Sequence, residues 1–194
     1  MACLCERMAP NFALFCQMTE QEQAEKTYHN ILNLVWEFLT VKGAKINFEN
    51  QLEKLEEIIP NVNDYDFFGV VPALDACEAL GELLHAIIAG ETLEKAIQIS
   101  QISLGTVCSL LETQENRDLS EAELKTREEI EEELDLQWQI YRLLKDCEKR
   151  DVDLILSLRI EIKQEGISNI GIKIEQEREI YHNFCKSCFY FLVS

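Results

Sequence analysis

The sequence predicts an all-α fold, a single-domain multi-helix bundle of about seven helices around a buried, uncharged central helix at about residues 92–113. Three observations predict it. Nearly half of the 194 residues are apolar while glycine (7) and proline (3) are scarce, a balance that suits packed helices better than turn-rich sandwiches or disordered linkers. Apolar residues recur three and four apart over long stretches, the spacing of one helix face. From Ala96 to Leu111 no residue is charged, and Ser100, Ser103, Gly105 and Ser109 are small enough to let neighbouring helices come close. A chain of this length encloses one core, so one domain is expected over residues 1–172, followed by an atypical tail at 173–194.

Residues 1–9 are apolar at helical spacing and stop before Pro10, which has no N–H to donate in a helix interior. No capping residue stands ahead of Met1, so the first helix is expected to be truncated. "PNFALFCQ" then places Phe12, Leu14 and Phe15 in a short helix or turn. The polar "TEQEQAEK" opens a longer helix to about Thr40, buried except for a strip at Asn33, Glu37 and Thr40, and ended by Gly43. Asn47 is placed to cap the next helix, whose inward stripe is Phe48, Leu52, Leu55 and Ile59 and which Pro60 terminates. "NVNDYDFFGVV" reads as a turn, and Pro72 as the first residue of a helix running to about Ala89, before Gly90. After the uncharged stretch, Ser120 and Glu123 make a capping-box pair that opens one long helix, "LSEAELKTREEIEEELDLQWQIYRLLKDCEKR", with Ile130, Leu134, Trp138, Tyr141 and Leu144 as its apolar stripe. Asp151 caps "VDLILSLRIEIKQE", which stops at Gly166. The tail ends in "NFCKSCFYFLVS", apolar and aromatic enough to need a cover.

Asp and Glu total 36 against 18 Lys and Arg, a formal charge of −18 that repels phosphate backbones and anionic membrane surfaces. Nucleic acid and membranes are therefore poor candidate partners. The uncharged run is too short, and too interrupted by Gln98 and Gln101, to span a bilayer. "MACLCERMAP" holds neither a basic segment nor an apolar one long enough for a secretory leader, so a cytoplasmic location is expected. Thiols stay reduced there, and most of the eight cysteines read as small buried apolar residues.

The helix at 72–89 carries the groups most able to do chemistry. Asp75, Glu78, Glu82 and His85 lie along one edge, and Glu82 with His85 forms a Glu-x-x-His pair, the spacing by which bundles present a carboxylate and an imidazole to a metal centre. Glu179 and His182 repeat the spacing, and Glu37 on the second helix would add a carboxylate from another direction. A metal reading therefore names Glu78, Glu82, His85 and Glu37, with a divalent metal as cofactor. Against it stands the apolar stripe of the same helix, Leu74, Cys77, Leu80, Leu84 and Ile88, which claims the interior and turns the Asp75, Glu78 and Glu82 edge to solvent, with His85, next to the stripe, expected to be partly buried. Glu53 and Glu56 facing Asp75 and Glu78 loosely resemble the acidic pairs by which all-α nucleotide pyrophosphatases hold magnesium. Cys185 and Cys188 would complete a four-thiolate zinc site with Cys3 and Cys5 only if the chain ends met. In the turn, Tyr65, Phe67 and Phe68, next to Asp75, are the candidate binding residues; the competing reading is a plug whose rings close one end of the core, with Gly69 and Pro72 shaping the backbone.

Four stretches together, "ERMAPNFALF", "LVWEFLTVKGAKINFENQLEKLEEIIP", "FFGVVPALDACEAL" and "ISLGTV", resemble the YjaG family, a bacterial domain of unknown function, over roughly residues 5–172. The part around Gly69, Pro72 and Asp75 is the most specific. The resemblance implies a single helical cytoplasmic domain with no established activity, preceded in family members by a further helical segment, and it carries over no catalytic residue. The expected function is accordingly that of a non-enzymatic acidic helical domain acting through protein–protein interaction or self-association, with no cofactor and no predictable small-molecule ligand. The alternative is a metal-dependent enzyme using the carboxylate/histidine edge of the helix at 72–89.

Overall fold

Two mostly apolar helices, the first and the fourth, lie side by side and the others are arranged around them. The computed structural model of the chain describes residues 1–147 and 150–173. Its α-helices are α1 Ala2–Met18, α2 Glu22–Thr40, α3 Phe48–Glu56, α4 Val70–Ala89, α5 Thr92–Glu115, α6 Glu121–Leu124, α7 Glu128–Leu144 and α8 Val152–Glu165. Among the described residues there is no strand, only an antiparallel bridge between Ile167 and Lys173 that closes a turn after α8. The fold is the all-α multi-helix bundle expected from composition and periodicity. The tail, including Glu179, His182, Cys185 and Cys188, lies outside the described residues.

The first departure from expectation is α1, which does not stop at Pro10 but runs through it to Met18. A proline inside a helix costs about 3 kcal/mol, because it removes one ladder bond and crowds the carbonyl four residues back. Twelve of the 17 residues of α1 are buried, among them Met8, Phe12 and Phe15. Each of these large side chains contributes about 1.5–3 kcal/mol on burial, so a few of them outweigh the proline. A tertiary gain overrides the local stop signal.

In α4, Ala73, Ala76, Ala79 and Ala86 are buried together with Leu80, Leu83 and Leu84. The small side chains let α1 and α2 come near the α4 backbone: the Cys5 thiol donates to the Ala79 carbonyl at 3.4 Å and the Tyr28 hydroxyl to the Ala76 carbonyl at 3.2 Å. Around this pair, α2 and α8 pack on α1, α3 packs on α4, α5 lies along α4, and α7 forms an outer layer on α5. The centre of the bundle is thus α1 with α4. Helix α5, read as the uncharged central helix, has charges at both ends (Glu94, Lys95, Glu112 and Glu115), buries one face, Ile99, Ser103, Thr106, Val107 and Leu111, and exposes Leu93 and Ile97 on another. The charge-free stretch Ala96–Leu111 marked a run of small and amide side chains, not a helix enclosed on all sides.

Local signals were otherwise followed closely. Asn47 caps α3 by accepting from the Asn50 amide at 2.9 Å, and Asp151 caps α8 from the Leu154 amide at 3.0 Å. Gly90, at φ +75°, takes the left-handed conformation that ends α4. That helix begins at Val70, two residues before Pro72, which still lies in the first turn where its missing N–H costs nothing.

The long helix expected after Ser120 is broken. Ser120 and Glu123 do form the capping box, but α6 lasts one turn and α7 starts afresh at Glu128. The Thr126 hydroxyl turns back to the Glu123 carbonyl at 2.8 Å, and Arg127 takes an extended backbone while its guanidinium pairs with Glu115 at the end of α5. Arg117 joins Glu115 (2.7 Å) to Glu123 (2.8 Å). This cluster of opposite charges folds the chain back onto α5 at the break.

Candidate functional site

The edge of α4 is neither wholly solvated nor gathered into a ligand set. Asp75 is half-buried against α5, accepting from the Thr106 hydroxyl at 2.8 Å, and Glu82 is half-buried and paired with Lys95 at 2.5 Å. Glu78 and His85 are exposed, as is Glu37 on α2. Of the edge inferred to face outward, Glu78 does so; His85, expected to be partly buried beside the stripe, is exposed, and it is Asp75 and Glu82 that serve the α4–α5 contact. Glu53 and Glu56 are exposed on α3. Among the described residues, no three His, Cys, Asp or Glu side chains lie together as a metal would need.

Asp75 gives a pH-dependent prediction. Its carboxyl is pushed up from the usual carboxylate range chiefly by burial, opposed by the Thr106 hydrogen bond and reinforced by Glu78. The folded chain then holds this proton more tightly than the unfolded one, so stability from this group falls as pH rises from about 4 through the raised value. Asp75→Asn keeps an acceptor for Thr106 and removes the ionisation. We expect a higher urea midpoint than the parent at neutral pH and a shallower pH slope below it; a lower midpoint at neutral pH would show the carboxylate to be stabilising.

The turn before α4 closes one end of the core. Tyr65 meets Phe15 edge-on at 5.0 Å between ring centroids, Phe67 stacks on Phe15 at 6.2 Å, and the Tyr65 hydroxyl accepts from the Gln21 amide at 2.7 Å. Tyr65, Phe67 and Phe68 are all half-buried. Gly69 has ordinary helical dihedrals, and its role is space: a Cβ there would come within 2.7 Å of the Phe67 ring. Cys3, Cys5, Cys16 and Cys77 are buried thiols, Cys108 is half-buried and Cys147 exposed. Burial pushes Cys5 and Cys16 up to about 12, far from the thiolate form that nucleophiles and metal ligands need.

Two buried charged groups were not anticipated. Glu133 of α7 is 1% exposed, and it accepts from Arg7 Nε at 3.1 Å, the Ser103 hydroxyl at 2.7 Å and the Gln137 amide at 3.0 Å. Asn169 extends the network, donating to the Ser103 carbonyl at 2.9 Å and accepting from Asn11 at 3.0 Å. Next to Arg7 on α1, Glu6 accepts from the Trp36 indole at 2.5 Å and faces two cations of α8, Arg159 at 3.6 Å and Lys163 at 3.5 Å. The Arg159 guanidinium lies 5.3 Å over the Trp36 ring. The one sequence signal was the Glu6–Arg7 pair standing within the apolar "ACLCERMAPNFALF"; nothing in "EEIEEELD" marks Glu133 among its neighbours.

Between α1, α2 and α8 runs a cleft of about 690 Å³ that includes Glu6, Arg7, Glu25, His29, Lys163 and Glu165. Its charges largely answer one another, Lys163 facing Glu6 and Arg7 facing Glu165 at 3.8 Å. The imidazole of His29 is held below its usual range by burial, with Glu25 acting the other way.

The most open feature is on α7. The stripe expected to face inward is turned out: Leu134 is 39% exposed, Trp138 54% and Tyr141 56%, with Leu144 also exposed and only Ile130 buried. The inward row is instead Ile130, Glu133, Gln137 and Ile140. The physical reason is Glu133, whose carboxylate is satisfied only by facing Arg7 and Ser103; rotating α7 to bury Trp138 would strand it.

The fold and these features define a helical-bundle domain in which, among the described residues, the buried charges are paired internally and one aromatic helix face is exposed. The chain belongs to the family described as "Protein of unknown function (DUF416)", which residues 1–173 match. It is 73% identical over 176 residues to an uncharacterized protein of Haemophilus influenzae, covering 91% of this chain and 90% of that one. To the uncharacterized protein YjaG of Escherichia coli K12 it is 53% identical, covering 91% and 89%. The crystal structure of a DUF416 family protein from Shewanella baltica OS155 superposes with a TM-score of 0.81 at 33% identity, covering 89% of this chain and 90% of that one. The resemblance to the YjaG family read from the sequence is thus a true kinship.

Proposed function

We propose that this domain works by binding protein, and that the uncovered face of α7 is where it does so. The observation that carries the reading is the row Leu134, Trp138 and Tyr141, large apolar side chains held in water on a regular helix. Trp and Tyr are the residues that dominate binding energy when a partner covers them. The Trp138 and Tyr141 rings brace each other edge-on at 5.6 Å, so part of the ordering that a partner would otherwise impose is already present. The formal charge of −18 favours a protein partner over nucleic acid or an anionic membrane surface. The cytoplasm is the proposed location: the described cysteines are free thiols, and no helix among the described residues is long and apolar enough to cross a membrane.

The test is a photo-crosslinking amino acid placed at Trp138 in intact cells, with the exposed Glu53 of α3 as control position. A discrete adduct at 138 and none at 53 is expected. No adduct at 138, or the same products at both positions, would overturn the proposal.

A further inference from the structure

We infer that the partner of the α7 face is a second copy of this chain, docked antiparallel about a twofold axis at Trp138; this rests on the reading of α7 as a binding face. Glu131, Leu134, Asp135, Trp138, Tyr141, Arg142 and Lys145 recur at spacings of three and four, so they share one helix face, and all are exposed. Along that face the order is acidic, apolar, basic. In an antiparallel pair centred on Trp138, Glu131 of one copy lies opposite the other's Lys145, and Leu134 and Asp135 lie beside its Arg142. A parallel pair would set Glu131 against Glu131 and Lys145 against Lys145. The charge pattern therefore complements itself in one orientation only, the isologous arrangement that a twofold requires.

The opposed charges are available for this. Among the described residues, none of Glu131, Asp135, Arg142 and Lys145 is in an ion pair. Local complementarity is also what a chain of formal charge −18 needs before a second copy can approach.

The face spans about 21 Å of helix, small for a stable dimer, whose interface covers about 1,200–2,000 Å² in total. α7 packs on α5, and the contacts Ser103–Glu133 and Ser100–Gln137 run antiparallel along the two helices. The same register sets Ile97 and Leu93, both exposed, level with the C-terminal half of α7.

Sedimentation of the full chain tests the inference. The expected result is a monomer–dimer equilibrium in the micromolar range. Trp138→Glu should give a monomer with unchanged helical circular dichroism. Glu131→Lys alone and Lys145→Glu alone should each weaken the dimer about tenfold, because the twofold counts every change twice. Glu131→Lys combined with Lys145→Glu should restore it, since each reversed charge again meets its opposite. A chain that stays monomeric at all concentrations, or a dimer insensitive to Trp138→Glu, would overturn the inference. So would single variants that pair as tightly as the parent, which is the signature of parallel pairing, because like charges then face each other in every variant. A monomeric chain whose position 138 still crosslinks to a different protein in cells would overturn the second copy while leaving α7 as a binding face.

Discussion

Replacing Arg7 by methionine is expected to lower the stability of the domain by about 3–5 kcal/mol, because it leaves the Glu133 carboxylate buried with no cation. The geometry makes the pair hard to dispense with one partner at a time. Glu133 is 1% exposed, so water cannot replace the guanidinium, and Ser103 and Gln137 supply only neutral donors. Methionine preserves most of the arginine stem, which keeps the packing of α1 against α5 and isolates the loss of charge. The remedy is to remove both charges. Arg7→Met with Glu133→Leu should be less destabilised than Arg7→Met alone, since a desolvated ion pair gains little over apolar residues of similar volume. Urea denaturation of the two single variants and the double variant closes the cycle. A coupling near zero would mean that Arg7 and Glu133 are satisfied independently, and the network across α1, α5 and α7 would not be a unit.

This pair also marks the limit of what was legible in the sequence. Signals confined to one turn were read correctly: the Asn47 and Asp151 caps, the Ser120–Glu123 box and the Gly90 and Gly166 stops each depend on residues within four positions. Pro10 failed because its penalty is local while the burial that offsets it is supplied by α2, α4, α5 and α8. The α7 stripe failed for a related reason. Two rows of that helix were plausible inner faces, and apolarity chose the wrong one, because the deciding contact joins residues 126 positions apart. On α4, the stripe rightly placed Leu80 and Leu84 inside, but it expected His85 to be partly buried where it is exposed, and it was blind to Thr106 and Lys95, which draw Asp75 and Glu82 into the α5 contact. The aromatic turn was legible only as two alternatives, a binding surface or a plug, because the Phe15 ring that Tyr65 and Phe67 pack against is distant in sequence, and Gly69, read as shaping the backbone, instead makes room for the Phe67 ring.

Trp36→Ala is the second change expected to be severe, costing about 3–5 kcal/mol as a large buried aromatic removed from the core. Trp36 is 2% exposed, and three functions meet in it: core volume, an indole donor to Glu6 and a ring under the Arg159 guanidinium. Trp36→Phe separates them, since it keeps much of the volume but removes the donor, and a cost of about 1–3 kcal/mol is expected from the carboxylate left short of a hydrogen bond. The loss should not spread evenly. α8 buries only Leu158 and Ile162, so its hold on the bundle depends on the contacts that Arg159 and Lys163 make with Glu6 and that Arg159 makes with Trp36 and Asn33. In Trp36→Phe, amide hydrogen exchange should therefore rise first across Val152–Glu165, while α4, whose burial does not pass through Trp36, stays protected. Equal acceleration in both helices would show that the indole supports the whole core, and α8 would then be as firmly held by its two apolar side chains as by the charges beneath it.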